Sequence, residues 1–167
     1  MVKPEFVTGG ESLADLLLHS QCPIEKLVLH WNMIRLDGAI ALCQAISDHK
    51  YLIHLDLSYN SIGSHGAEIL GKSLLSNNIL KYLNISHNNI DALGCFTLCI
   101  GIEKNTTLRE FILDSNPVGV EGCKILAKTI LNSSTELDIS VKHCDFSLKH
   151  ESVRIDITGK IVFSLLF

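Results

Sequence analysis

Six cysteines and eight histidines are the side chains of this 167-residue chain best equipped for chemistry. Thiolates and imidazoles make zinc sites when they come in short pairs, such as two cysteines separated by two residues. No such pair occurs among Cys22, Cys43, Cys95, Cys99, Cys123 and Cys144, and no two histidines sit one helical turn apart as ligands often do. No nucleophile stands beside a base, and neither a phosphate-cradling glycine loop nor paired carboxylates recur at catalytic spacing. The expectation is a chain with no catalytic residue, no cofactor and no metal. Asn84, Asn105 and Asn132 each begin an Asn-x-Ser/Thr glycosylation acceptor. Met1 to Phe6 lack the apolar stretch of a signal peptide, so these sites are expected to stay unmodified.

The asparagines carry a different message. Asn32, Asn60, Asn88 and Asn116 follow one another at steps of 28 residues, and Gly10, Gly38, Gly66, Gly94 and Gly122 keep the same step. Around each asparagine the text repeats as Leu-x-x-Leu-x-Leu-x-x-Asn-x-Ile, most clearly from Leu52 to Ile62 and from Leu80 to Ile90. A fifth copy has Ile139, Val141, Cys144 and Phe146, with Glu136 in the leading position. The Leu-x-Leu piece alternates as a half-buried strand does. After each glycine the apolar residues return every three or four positions, as in Ala67, Leu70 and Leu74, which is one face of a helix. Each unit is therefore strand, turn, helix and return loop, and it buries both faces only by stacking on its neighbours.

These residues resemble the leucine-rich repeat family, specifically its ribonuclease-inhibitor type. The resemblance implies an α/β solenoid, a right-handed βα superhelix bent into an arc with parallel strands on the concave face. The arc also follows from size, since strands pack about 4.8 Å apart and helices about 8–10 Å apart. An incomplete repeat over 1–23 is expected, then full repeats over 24–51, 52–79, 80–107 and 108–135, and a degenerate fifth over 136–150. Helix α-face positions Ala14 and Leu18 continue the pattern into the first of these. Residues 151–167 alternate on both sides of Thr158-Gly159. They read either as a β-hairpin capping the last coil or as an apolar chain end, and periodicity does not separate the two. The incomplete ends predict a piece of a longer array.

Each ladder asparagine is expected to be buried, satisfying turn groups in its own and the adjacent coil. Cys144 substitutes a weak S–H donor, so the fifth coil is expected to be the loosest. Asn88→Ala is expected to cost far more than Asn105→Ala, with Asn105 taken as an ordinary loop residue. Cysteines at 43, 95, 99 and 123 share phases with alanine or glycine in other coils, which makes them small, buried, reduced thiols.

With 14 basic against 18 acidic residues and a net charge of -4, a nucleic-acid partner is not expected. A hydrophobic share of 47% is ample for a core, yet no run is long enough to span a membrane. A cytoplasmic scaffold is the reading. Residues between the buried leucines face the concave side, which places Trp31, Tyr59, Tyr82, His87, His54, Asp56 and Asp114 there. His30, Ser58 and Ser86 share the same outward direction by phase. Aromatic residues are favoured interface anchors, and they also pack across strands. The expected function is a non-catalytic module binding an unidentified protein partner on this face. The alternative is a regulator resembling Ran GTPase-activating proteins, for which only Arg35 sits near the relevant edge. The resemblance extends to the repeat arrays of NOD-like receptors and of tropomodulin-like actin regulators.

Overall fold

The computed structural model describes residues 8–19, 22–133 and 136–144, together with the backbone of 151–155 and 161–165. Helices and strands alternate as α1 (Gly9–Leu18), β1 (Lys26–Val28), α2 (Leu36–Ala45), β2 (His54–Asp56), α3 (Gly63–Ser76) and β3 (Tyr82–Asn84). They continue as α4 (Ala92–Lys104), β4 (Glu110–Ile112), α5 (Gly119–Asn132) and β5 (Asp138–Val141), ending in β6 (Glu151–Ile155) and β7 (Ile161–Leu165). All seven strands form one sheet in chain order. The first five are parallel, and the register pairs Leu27 with Leu55, Leu55 with Leu83, Leu83 with Phe111 and Phe111 with Ile139. Consecutive helices pack side by side along the same path. The fold is thus an α/β leucine-rich-repeat solenoid.

The core lies between the two layers. Leu55, Leu57, Leu83, Ile85, Phe111 and Leu113 come from the sheet side, and Leu42, Leu70, Leu98 and Leu126 from the helices, all essentially without exposure. Helices α3 and α4 approach most closely through glycine. A Cβ added to Gly71 would lie 2.6 Å from the Thr97 carbonyl oxygen, and one added to Gly101 would overlap the Gly71 backbone.

Two rows of polar side chains tie one coil to the next. Asn60, Asn88 and Asn116 are buried. The Asn88 amide donates to Leu57 O of the preceding coil and to Ser86 O of its own, while its carbonyl accepts from Ile62 N. Asn116 repeats this, donating to Ile85 O and Leu113 O and accepting from Asn88 N and Ile90 N. Asn32 departs from the expectation of burial. It is exposed and donates only to Leu29 O and His30 O of its own coil. Among the described residues no strand lies outside β1, so no neighbouring coil presents groups for its carboxamide.

The second row runs along the return loops and overturns the reading of Asn105 as an ordinary loop residue. Asn105 is 5% exposed, accepts from Thr107 N and Leu108 N, and donates to Leu74 O and Asn77 O. Asn77 does the same one coil earlier, accepting from Ile79 N and Leu80 N and donating to Ile46 O. These carbonyls are the orphan acceptors of helix ends, which have no partner within their own helix.

Leu18, Ser58 and Ser86 depart from the expected pattern of exposure. In the fifth coil Ile139, Val141 and Cys144 are at most 1% exposed. Strand β6 pairs antiparallel with β5 and extends the sheet past it. Strand β1 has no described strand on its outer side, and its Leu27 and Leu29 are half-buried where Leu55 and Leu57 are fully buried. In α1 the buried residues are Gly10, Ala14 and Leu17, with Leu18 exposed. Among the described elements this helix packs mainly against α2, so its buried face turns toward that neighbour. Ser58 and Ser86 are buried, not exposed; their backbone N–H groups donate to Asp56 and Asn84. Strands β6 and β7 pair antiparallel from Glu151↔Leu165 to Ile155↔Ile161. The Thr158-Gly159 turn and the Phe6 and Phe146 positions lie outside the described residues.

Two predictions follow from this packing. Asn88→Ala and Asn105→Ala should each lower stability by roughly 1–3 kcal/mol, the cost of stranding buried polar groups, while Asn32→Ala changes it little. Urea unfolding checks this, and a harmless Asn105→Ala would contradict the second row. Gly101→Ala should lower the urea midpoint by an amount worth about 1–3 kcal/mol, because backbone must move to admit one methyl group.

Candidate concave interaction site

Six of the seven residues singled out for binding fall into two groups, with Asp56 joining the second on β2, and Asp114 lies past the end of β4. Trp31, Tyr59 and His87 lie on turns just beyond the C-terminal ends of β1, β2 and β3, whereas His54 and Tyr82 lie on the strands. The turn residues adopt φ of 58°, 55° and 53°, a left-handed conformation uncommon for bulky side chains. Ser115 and His143 repeat it at 55° and 54°. The backbone there is held from coil to coil, since Trp31 N donates to Ser58 O, Tyr59 N to Ser86 O and His87 N to Asp114 O. A repeated backbone geometry therefore delivers each side chain in the same direction.

The rings consequently stack. Trp31 and Tyr59 are parallel within 11° with centroids 4.0 Å apart, and Tyr59 and His87 follow at 4.0 Å and 14°. Tyr59 uses both faces in this column. Trp31, at its end, is 72% exposed, and His87 is exposed at the other end. A second pair, His54 and Tyr82, stacks at 3.9 Å and 5° on the strands themselves. Cross-strand packing thus accounts for the interior rings, and the flat ends and ring edges are what a partner could touch.

The acidic residues behave differently from one another. Burial raises the Tyr82 hydroxyl above its usual range, and the carboxylates of Asp56 and Glu110 add to this. Burial lowers the His54 imidazole, as does Lys26, against the opposing pull of Asp56 and Glu110. Lys26, Asp56 and Glu110 therefore surround the second ring pair. Asp114 lies apart from both groups. Its Oδ1 accepts from Ser140 Oγ at 2.7 Å and from Lys142 N at 2.8 Å, which commits it to joining two coils. Glu110 and Lys26 belong to this cluster as well, although they are not among the seven residues singled out for binding.

No described feature offers chemistry of another kind. Among the described residues no group of three histidines, cysteines or acids is placed to hold a metal. All six cysteines are free, five of them buried. Burial pushes the Cys43 thiol up to about 12 and that of Cys144 up to about 11. A hydrogen bond with Cys99, reinforced by burial, pushes Cys95 well above the usual thiol range. Arg35 is exposed at the start of α2. Of the glycosylation acceptors, Asn105 has its amide nitrogen engaged by Leu74 O and Asn77 O, and Asn84 uses its side-chain oxygen internally. Asn84 accepts from Ser86 N and Oγ, and Asn105 belongs to the second polar row. No helix among the described residues is long and apolar enough to cross a membrane.

Comparison with known proteins agrees with this architecture. A family model described as Leucine Rich repeat matches residues 48–71, 76–99 and 104–127. No curated protein sequence matches the chain. Among solved structures, the chain titled "Leiomodin-1 Actin-Binding Site 2 (ABS2)" is similar in fold, with a TM-score of 0.71 at 13% identity. The likeness covers 86% of this chain and 82% of that one. At that identity it speaks for the fold alone.

The thiol burial predicts a simple outcome. A thiol reagent at mildly alkaline pH should find all six groups only after denaturation, with the half-buried Cys123 reacting first as denaturant is raised. Six equivalents released at once from the native chain would contradict it.

Proposed function

We propose that this leucine-rich-repeat chain is a non-catalytic protein-interaction module whose partner docks on the concave side, across the ring column and the His54–Tyr82 pair. The observation that carries the reading is the column itself, an aligned set of rings ending in a Trp31 that is 72% exposed. A large, rigid aromatic surface loses little conformational freedom on binding, which is why such residues dominate interface energetics. Asp56, Tyr82, His54 and His87 form the polar surround, and Asp114 supports it by holding the neighbouring coil. We assign the repeats to the ribonuclease-inhibitor type with its 28-residue unit, organised as full repeats over 24–51, 52–79, 80–107 and 108–135. A cytoplasmic scaffold that recognises protein, not nucleic acid, fits the net charge of -4 and the six free thiols. Actin is the first partner to test, because the similar solved structure is by its title an actin-binding site.

The test compares the native chain with a Trp31→Ala, Tyr59→Ala double variant in actin co-sedimentation and in affinity capture from lysate. The variant should melt within a few degrees of the native chain, since both rings lie outside the core. It should lose the captured partners by at least tenfold, as expected when two anchors worth about 1 kcal/mol or more each are removed. A correctly folded variant that retains every partner would exclude the ring column as the site.

A further inference from the structure

His49 occupies the place in the second polar row that Asn77 and Asn105 hold in the next two coils, again at steps of 28 residues. It lies in the loop between α2 and β2, is only 5% exposed, and is followed by the fully buried Leu52. Its Nδ1 accepts from Tyr51 N at 3.2 Å and from Leu52 N at 3.0 Å. These are the same two bonds that the asparagine carbonyls accept from Ile79 and Leu80, and from Thr107 and Leu108. An amide oxygen is not protonated at any ordinary pH, whereas an imidazole nitrogen is.

Because Nδ1 accepts two bonds, the neutral ring carries its proton on Nε2. That nitrogen is buried and has no hydrogen-bond partner among the described residues, unlike the asparagine amides, which donate to Ile46 O and Leu74 O. Protonation would place a second N–H at Nδ1, pointing at two backbone N–H groups, on a buried ring with no acceptor. The titratable and charged groups lining the cavity beside the ring are His19, Cys22, Asp48, Lys50 and Tyr51, and Tyr51 meets it edge-on at 6.3 Å. On the α3 side the equivalent position is the uncharged Asn77.

We infer that His49 is a pH-sensitive latch, holding the α2–β2 return loop closed when neutral and releasing it when protonated. Burial keeps the imidazole below its ordinary value of 6.5 in the folded chain. The unfolded chain therefore takes up the proton first as pH falls. The latch's contribution is complete above about 6.5 and is lost as pH drops through the lower folded value.

The test follows melting temperature from about pH 7.5 to about pH 5 in the native chain and in His49→Asn, which restores the side chain of the adjacent coils. The native chain should lose more with acid than the variant, so that the gap between them widens steadily below about pH 6.5. Parallel curves would overturn the proposal. Should His49→Asn not fold, nitrogen-15 NMR of the native chain decides. A ring protonated on Nε2, with a midpoint below 6.5 and coincident shifts of the Tyr51 and Leu52 amides, supports the latch. A ring protonated on Nδ1, or amides that ignore the titration, overturns it.

Discussion

Everything in this molecule depends on carboxamides that bond across coils. A solenoid coil turns sharply at two edges, once where the strand gives way to the helix and once where the helix returns. Each turn leaves backbone donors and acceptors without a ladder partner, and burying them unpaired is costly. Asn60, Asn88 and Asn116 serve the first edge, and Asn77 and Asn105 the second. Both rows reach into the preceding coil, so each coil is completed only by the next. Nearest-neighbour stability of this kind is the thermodynamic signature of repeat architectures.

The same repetition produces the surface. Because the backbone before each ladder asparagine adopts one left-handed conformation, whatever stands there is aligned with its counterpart in the next coil. Trp31, Tyr59 and His87 become a stack, while Ser115 ends it. Inside the helix layer, the close approach of α3 and α4 admits only hydrogen at Gly71 and Gly101. Cysteine fits where alanine would otherwise stand, as a small apolar filler whose buried thiol stays protonated.

Departures from the repeat show where its physics changes. Asn32 has the residue type of the ladder without its burial, because a carboxamide needs a neighbouring coil to bridge to. Cys144 has the burial without the residue type, and its thiol reaches Leu113 O at 3.4 Å as a weaker donor. Strand β5 nevertheless stays covered, since an antiparallel strand continues the sheet beyond it. His49 keeps the acceptor of its row, adds a titratable proton and leaves a donor unanswered.

Periodicity alone determined the architecture. Alternating leucines, helical spacing after each glycine and a constant 28-residue step admit a stacked strand-helix coil, because only that arrangement buries every apolar stripe at once. The second polar row was legible by the same offset in His49, Asn77 and Asn105, but isolated polar residues in loops carry no hydrophobic phase to announce them. Tertiary structure decided what spacing leaves open: that Asn32 is exposed, that Asp114 is spent between coils, and that the rings stack face to face. These outcomes depend on what lies across the gap to the next coil, and a linear pattern records the repeat of a side chain without recording its neighbour.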